Sequence, residues 1–348
     1  AIAANEGPDV MLFHGGTRLT ERQDALVPLD EYIGDEADNF VALEDGWANT
    51  ETGEIIALPV TIQGFIYYYN KAIYAEAGLD PEKPPTTWDE LVANCEAIMA
   101  NTDKSCFTVG GKADGFQGIA FHSSIWADAL FTPEEHEMFR KVEMPYDYPK
   151  LAKILELWAD ATERGWWQEG AASDSTYFDA HDHFNAGRAA HTQGLISDTA
   201  HWKMYGENLG DKNVGMFKNL VLDPEVYDNV EGIPLAAGAG IGWSVAKWSP
   251  NREMAVELVK FMTSPESQLV LFNLAGSMIP RTDIRPELVG HPLARQILSW
   301  LSNREMPIFY ITPTDLNREF QRQASLLLIG ETTVSEAVEA MVEFYEAR

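Results

Sequence analysis

Ten tryptophans, twelve tyrosines and eight histidines are spread over 348 residues, and a few stand at spacings that chemistry would need. Asp179-Ala180-His181-Asp182-His183 places two imidazoles and two carboxylates within five residues, the ligand types that hold a divalent metal. A metal needs them on one face, and the segment from Tyr177 to Gly187 reads as a single helix. Residues two apart on a helix diverge, so no metal site and no cofactor is predicted. Tyr67, Tyr68 and Tyr69 offer three phenols for an iron or oxyanion complex, but strand alternation turns Tyr68 away from its neighbours. Among 54 acidic residues some carboxylate pair always suggests glycoside hydrolysis. The sequence has no GxSxG, no Walker loop, no zinc-site spacing and no GxGxxG opening a helix after a strand. An acidic glycoside hydrolase, or a metal-dependent enzyme using residues 179–183, is the competing reading to a protein that binds without reacting.

The elements that would position such residues can be read along the chain. Val10 to Phe13 is a short apolar strand followed by His14-Gly15-Gly16, and an open α/β sheet presents ligand groups just beyond strand ends of this kind. Phe13 and His14 are therefore candidates. Ile55 to Pro59 and Phe65 to Tyr69 read as strands, with Gln63–Gly64 between them as a hinge-like crossover from one domain to another. Gln63 is placed to touch a ligand there. Gly78 caps the short helix Ala72 to Ala77, and Thr87 with Glu90 has capping-box spacing for the helix that follows. Phe107 to Val109 and Gly118 to Phe121 are strand candidates. The helix opening at 121 carries His122 and Trp126, one able to hydrogen-bond and one to stack, with a core role for Trp126 equally open. Trp166–Trp167, after the helix Tyr148 to Gly165, reads as packing more than as a stacking platform. Ala189 to Gln193 is a strand whose following turn offers Gln193, Ser197 and Asp198. The run Ile233 to Gly242 allows close backbone approach at Gly240, next to Trp243, whose indole can stack on a sugar ring. Arg281 either reaches ligand hydroxyls or pairs with surface acids.

The order LP…YYYNK…AGLDP…PPTTWDEL within residues 53–91 closely resembles the family 1 extracellular solute-binding proteins of carbohydrate ABC importers, the maltose-binding-protein-like group. PDV plus an aromatic at 8–13, F-N-A-G-R-A-A-H at 184–191, the S-P-E at 264–266 and G-x-x-T-V-S-E-A-V near the end follow the same order. His191 and Ile196 depart from it, standing where the family has a methionine and an aromatic residue. The resemblance implies an α/β fold of two discontinuous domains joined by hinge crossovers, the class II periplasmic-binding-protein type. Its domains would be 1–62 plus 240–306, and 63–239 plus 307–348, with crossovers near 61–64, 233–242 and 306–313 and a ligand cleft between. It implies non-catalytic binding of a mono- or oligosaccharide by hinge closure, and delivery to the permease and ATPase subunits of an importer. A monomer is expected, periplasmic or extracellular, with anchoring through a removed lipidated segment as one form of that location. The family's strand–helix–strand before PDV has no counterpart here, so the site named above is expected to be incomplete.

Composition limits the partners. The formal net charge is −29, which repels nucleic acid and anionic membrane surfaces and suits a neutral or cationic ligand. Such acidity also fits a saline habitat. No apolar run is long enough to span a bilayer. Cys95 and Cys106 sit on either side of a helix–loop turn; a bridge in an oxidising compartment and two buried thiols are both compatible with their spacing.

Overall fold

The computed structural model describes residues 6–41, 43–111, 118–173, 176–196, 201–235, 237–284, 290–301 and 314–347. The chain divides into two compact units, unit 1 from residues 1–64, 195–203 and 237–306, and unit 2 from 65–194, 204–236 and 307–348. Its strands are β1 (Val10–His14), β2 (Leu58–Pro59), β3 (Ile62–Asn70), β4 (Ser105–Thr108), β5 (Ala189–Leu195), β6 (Val214–Phe217), β7 (Ala237–Ala239) and β8 (Ile241–Val245).

Unit 1 is built on the sheet β1-β8-β2, antiparallel throughout. Its core gathers Leu26, Leu29, Trp47, Ile56 and Leu58 with Val256 and Val259 of the helix Arg252–Met262. Residues 195–203 join this unit, where the sequence had placed them in the second domain. Trp202 accounts for the difference: its indole stacks on Phe272 at 5.9 Å and donates to the carbonyl of Gly276 at 2.9 Å. The boundary at Gly64 likewise follows pairing, since Ile62, Gln63 and Gly64 lie opposite Ala239, Gly238 and Ala237.

Unit 2 holds the sheet order β4-β5-β3-β6. All nine residues of β3 are buried, which explains why its stretch Phe65–Tyr69 reads as a continuous apolar run rather than an alternating one. Asn70 ends it and caps the next helix, accepting from the amides of Ala72 and Ile73. Thr87 caps the helix Trp88–Asn101 as expected, but the return contact differs: Glu90 takes the amide and hydroxyl of Thr86, both at 2.7 Å. The predicted strand Gly118 to Phe121 is instead the start of the helix Ile119–Leu130. Every residue of that helix is buried, so it shows none of the periodicity by which a surface helix is recognised. Cys95 and Cys106 are bridged, with Cα atoms 5.1 Å apart, tying this unit's helix Trp88–Asn101 to β4. The predicted crossover 306–313 lies outside the described residues.

Candidate functional site

In unit 1 the sequence candidates meet where β1 ends and β8 begins. The amide of Gly15 donates to the carbonyl of Gly240 (3.0 Å), the amide of Gly240 to Thr61 (3.2 Å), and the amide of Gly16 to Gly46 (2.9 Å). Four chain segments therefore touch through backbone alone. A methyl group at Gly240 would sit 2.6 Å from the carbonyl oxygen of Thr61, and one at Gly242 2.8 Å from that of Leu58. Close approach is the reason for glycine at both positions. Of this junction the sequence pointed to Gly240 and the Gly15–Gly16 pair; Gly46 and Thr61 join it through tertiary pairing that no local pattern announced.

Register decides which side chains share this junction's surface. His14 lies opposite Ile241 and Leu12 opposite Trp243, whereas Phe13 lies opposite Gly242. Directly opposed residues project to one face and neighbours alternate, so His14 and Trp243 share a face and Phe13 takes the other. Phe13 and Trp243 both pack against the unit 1 core from opposite faces of the sheet, and the guanidinium of Arg22 lies 6.0 Å from the Phe13 ring. His14 and Trp243 are both half-buried. Gln63 is 9 % exposed, and its carboxamide makes no hydrogen bond to a described residue. An imidazole, a carboxamide and an indole face are the groups that meet hydroxyls and apolar ring patches of a neutral, hydroxylated molecule.

Arg281 does not belong to this set. Its guanidinium bonds both carboxylate oxygens of Asp283 (2.8 and 2.7 Å) and the carbonyl of Thr263 (3.1 Å), and lies 4.7 Å from the centre of the Phe40 ring. All its faces are engaged in holding unit 1 together. Ser197 and Asp198 lie outside the described residues.

In unit 2, His122, Trp126 and Gln193 do converge, but in the interior. They are 1 %, 2 % and 1 % exposed. The hydroxyl of Tyr67 and Nδ1 of His122 are 3.0 Å apart. Trp126 lies beside Tyr67, and Gln193 beside His122, at geometries too loose for a full hydrogen bond. Burial pushes the imidazole of His122 down to about 3, opposed by its contact with Gln193, so it is neutral at ordinary pH. The rings of Phe107, Trp158 and Trp167 surround it at 5.6–5.9 Å. This is a polar relay inside an aromatic core. Trp126 takes the core role that the sequence left open.

The HxH segment separates as helix geometry requires. His181 is 3 % exposed and bonded to the hydroxyl of Tyr205, while His183 lies half-buried on the same helix, Tyr177–Asn185. Among the described residues the grouping with metal-ligand proximity is Cys95, Cys106 and His191. Its sulfurs are joined to each other, and a disulfide offers no thiolate to a metal.

Comparison with known proteins fits this architecture. The fold is shared with a chitin oligosaccharide binding protein (TM-score 0.84, 20% identical, covering 99% of this chain and 85% of that one). It is shared too with a maltose-bound T. maritima protein, MalE3 (TM-score 0.78, 21% identical, 99% and 86%). The α/β fold is that of MalE-like periplasmic binding proteins. The chain matches the bacterial extracellular solute-binding protein family over residues 1–291 and belongs to it. The sn-glycerol-3-phosphate-binding periplasmic protein of Yersinia enterocolitica is 24% identical over 283 residues, 76% of this chain and 60% of that protein. Its counterpart in Pectobacterium atrosepticum is 25% identical over 287 residues, 77% and 59%. The chain thus spans about three fifths of the length of the curated relatives it matches. Among the described residues no helix is long and apolar enough to cross a membrane.

Proposed function

We propose that this protein binds a neutral mono- or oligosaccharide without transforming it, outside the cytoplasm, and passes it to the membrane permease and ATPase subunits of an ABC importer. The observation that carries the reading is that half-buried His14 and Trp243 share one face of the sheet beside the glycine junction of unit 1. Gln63 adds a carboxamide from the adjoining strand β3. The indole supplies a stacking surface and the imidazole and carboxamide supply donors and acceptors, a set suited to sugar hydroxyls and poor in groups that break bonds. The net charge of −29 disfavours an anionic ligand.

A second ligand class, phosphorylated polyols, is favoured by the names of the curated relatives, which bind sn-glycerol-3-phosphate. One titration decides between them. Calorimetry and thermal melts with chito- and malto-oligosaccharides, monosaccharides and sn-glycerol-3-phosphate should give saturable stabilisation by an uncharged sugar, with that sugar recovered unchanged. Stabilisation by the phosphate alone would replace the ligand class, and turnover of the sugar would overturn the non-catalytic reading.

A further inference from the structure

Three side chains of unit 2 that play no part in the sugar reading meet in its interior. Cys95 comes from the helix Trp88–Asn101, Cys106 from β4 and His191 from β5, and all three are 0 % exposed. One ligand atom from each lies within 4.8 Å of the others, and Nδ1 of His191 stands 3.4 Å from Sγ of Cys106. Bonds of about 2.0–2.3 Å to nitrogen and sulfur put two ligands of one ion roughly 3.5 Å apart. The imidazole is therefore already at ligand distance from one sulfur. The sulfurs are not at that distance from each other, because they are bonded together. Opening the bridge would leave two thiols on Cα atoms 5.1 Å apart, and rotation about their Cα–Cβ bonds is enough to reach ligand spacing.

The imidazole is held in place from its far side. Its Nε2 is 2.7 Å from the hydroxyl of Tyr74, its Nδ1 is 2.9 Å from the carbonyl oxygen of Cys106, and its ring stacks on Phe107 with centroids 4.7 Å apart. In the bridged protein Nδ1–H donates to that carbonyl and Nε2 accepts from the phenol. With the proton on Nε2 instead, Nδ1 presents a lone pair on the side of Cys106 Sγ and Tyr74 becomes the acceptor behind it. That outer hydrogen bond is how metal-binding imidazoles are oriented. Two thiolates and an imidazole select a thiophilic ion over Mg²⁺ or Ca²⁺, which take oxygen ligands. The group holds no fourth ligand among the described residues, and full burial keeps bulk water from completing the tetrahedron that Zn²⁺ takes. A soft monovalent ion such as Cu⁺ is satisfied by three ligands of this kind.

We propose that Cys95, Cys106 and His191 form a site for a soft monovalent cation of the Cu⁺ type in the thiol form of this protein, and that bridge and cation are alternative occupants of one place. The proposal does not rest on what the protein carries. The test uses the full chain. A phosphine reductant opens the bridge and becomes the phosphine oxide, water supplying the oxygen and the two protons that the sulfurs take up. Cu⁺ then binds by displacing thiol protons to the buffer. With the phosphine removed under nitrogen, Cu⁺ is titrated against a chromophoric Cu⁺ chelator, and X-ray absorption reports the ligands. Reduced wild type should take one Cu⁺ per chain in a shell of two sulfurs and one nitrogen, and its melting temperature should rise on loading. The bridged protein should take none. Tyr74→Phe should weaken binding roughly tenfold. His191→Gln should weaken it further and lose both the nitrogen and the rise in melting temperature. Reduced wild type that binds no more Cu⁺ than the bridged protein would overturn the site. So would a shell of sulfur alone, which is also what a chain unfolded by reduction gives, or an unchanged shell and affinity in His191→Gln. Zn²⁺ raising the melting temperature of the reduced protein where Cu⁺ does not would overturn the choice of ion.

Discussion

The phenol of Tyr67 and the imidazole of His122 face each other across 3.0 Å in the interior of unit 2, brought together from positions 55 residues apart. Neither has access to water, so each satisfies a polar atom that would otherwise be stranded. Tyr67→Phe is expected to destabilise the protein by about 1–3 kcal/mol, the cost of an orphaned buried acceptor. Tyr67→Phe/His122→Phe should recover part of that loss, because both polar ends are then gone. Urea unfolding of the three proteins checks the pair; strictly additive losses would show that the two side chains do not act together.

Stability and affinity should separate at the glycine junction. Gly240→Ala forces a methyl group against the Thr61 carbonyl and is expected to cost about 1–3 kcal/mol. Trp243→Ala removes a half-buried ring at the proposed binding face. Its main expected effect is on sugar binding, roughly tenfold for a stacking contribution near 1.4 kcal/mol. Calorimetric titration beside denaturation midpoints distinguishes the two, and Trp243→Ala binding sugar as tightly as wild type would remove the indole from the site.

The bridge between Cys95 and Cys106 closes a short loop, with a sequence separation of 11. Cys95→Ser/Cys106→Ser should lower stability by about 2–3 kcal/mol. Unfolding in dithiothreitol should reduce the wild type by a similar amount and leave the variant unaffected. An equal effect of reductant on both would assign the loss to something other than the bridge.

Four buried histidines set the acid limb of stability. Burial pushes His122 and His181 down to about 3, and His136 and His191 to about 4, whereas an unfolded histidine takes its proton near 6.5. Between these values the unfolded chain binds more protons than the folded one, so stability falls as pH drops from about 6.5 towards 4. Each group contributes at most about 1.4 kcal/mol per pH unit. The melting temperature should therefore decline between pH 7 and pH 5, and His181→Gln should make the decline shallower. A flat or rising melting temperature over that range would contradict the burial of these groups.

Much of the fold was legible because local chemistry and tertiary structure agree. β1, β3 and the cap at Thr87 carry their own signals of strand propensity and capping. The helix Ile119–Leu130 carried none, since burial on every side erases periodicity. At the candidate site, residue type was informative and partnership was not. His122 and Arg281 have the chemistry of ligand contacts, yet one is enclosed by aromatic rings and the other is held by Asp283 and Thr263. Whether a polar side chain faces a ligand or its own core depends on pairings between segments more than two hundred residues apart, such as His14 with Ile241.

The junction of Gly15, Gly46, Gly240 and Gly242 also constrains how this protein can change. With backbone against backbone, and β-carbons excluded at Gly240 and Gly242, that region has no slack to absorb insertions or larger residues. A lineage that changed the side chains around this junction, His14 and Trp243 among them, would have to keep that backbone packing. The framework beneath them would be inherited unaltered. Change there is then a matter of single side chains rather than of a redrawn chain.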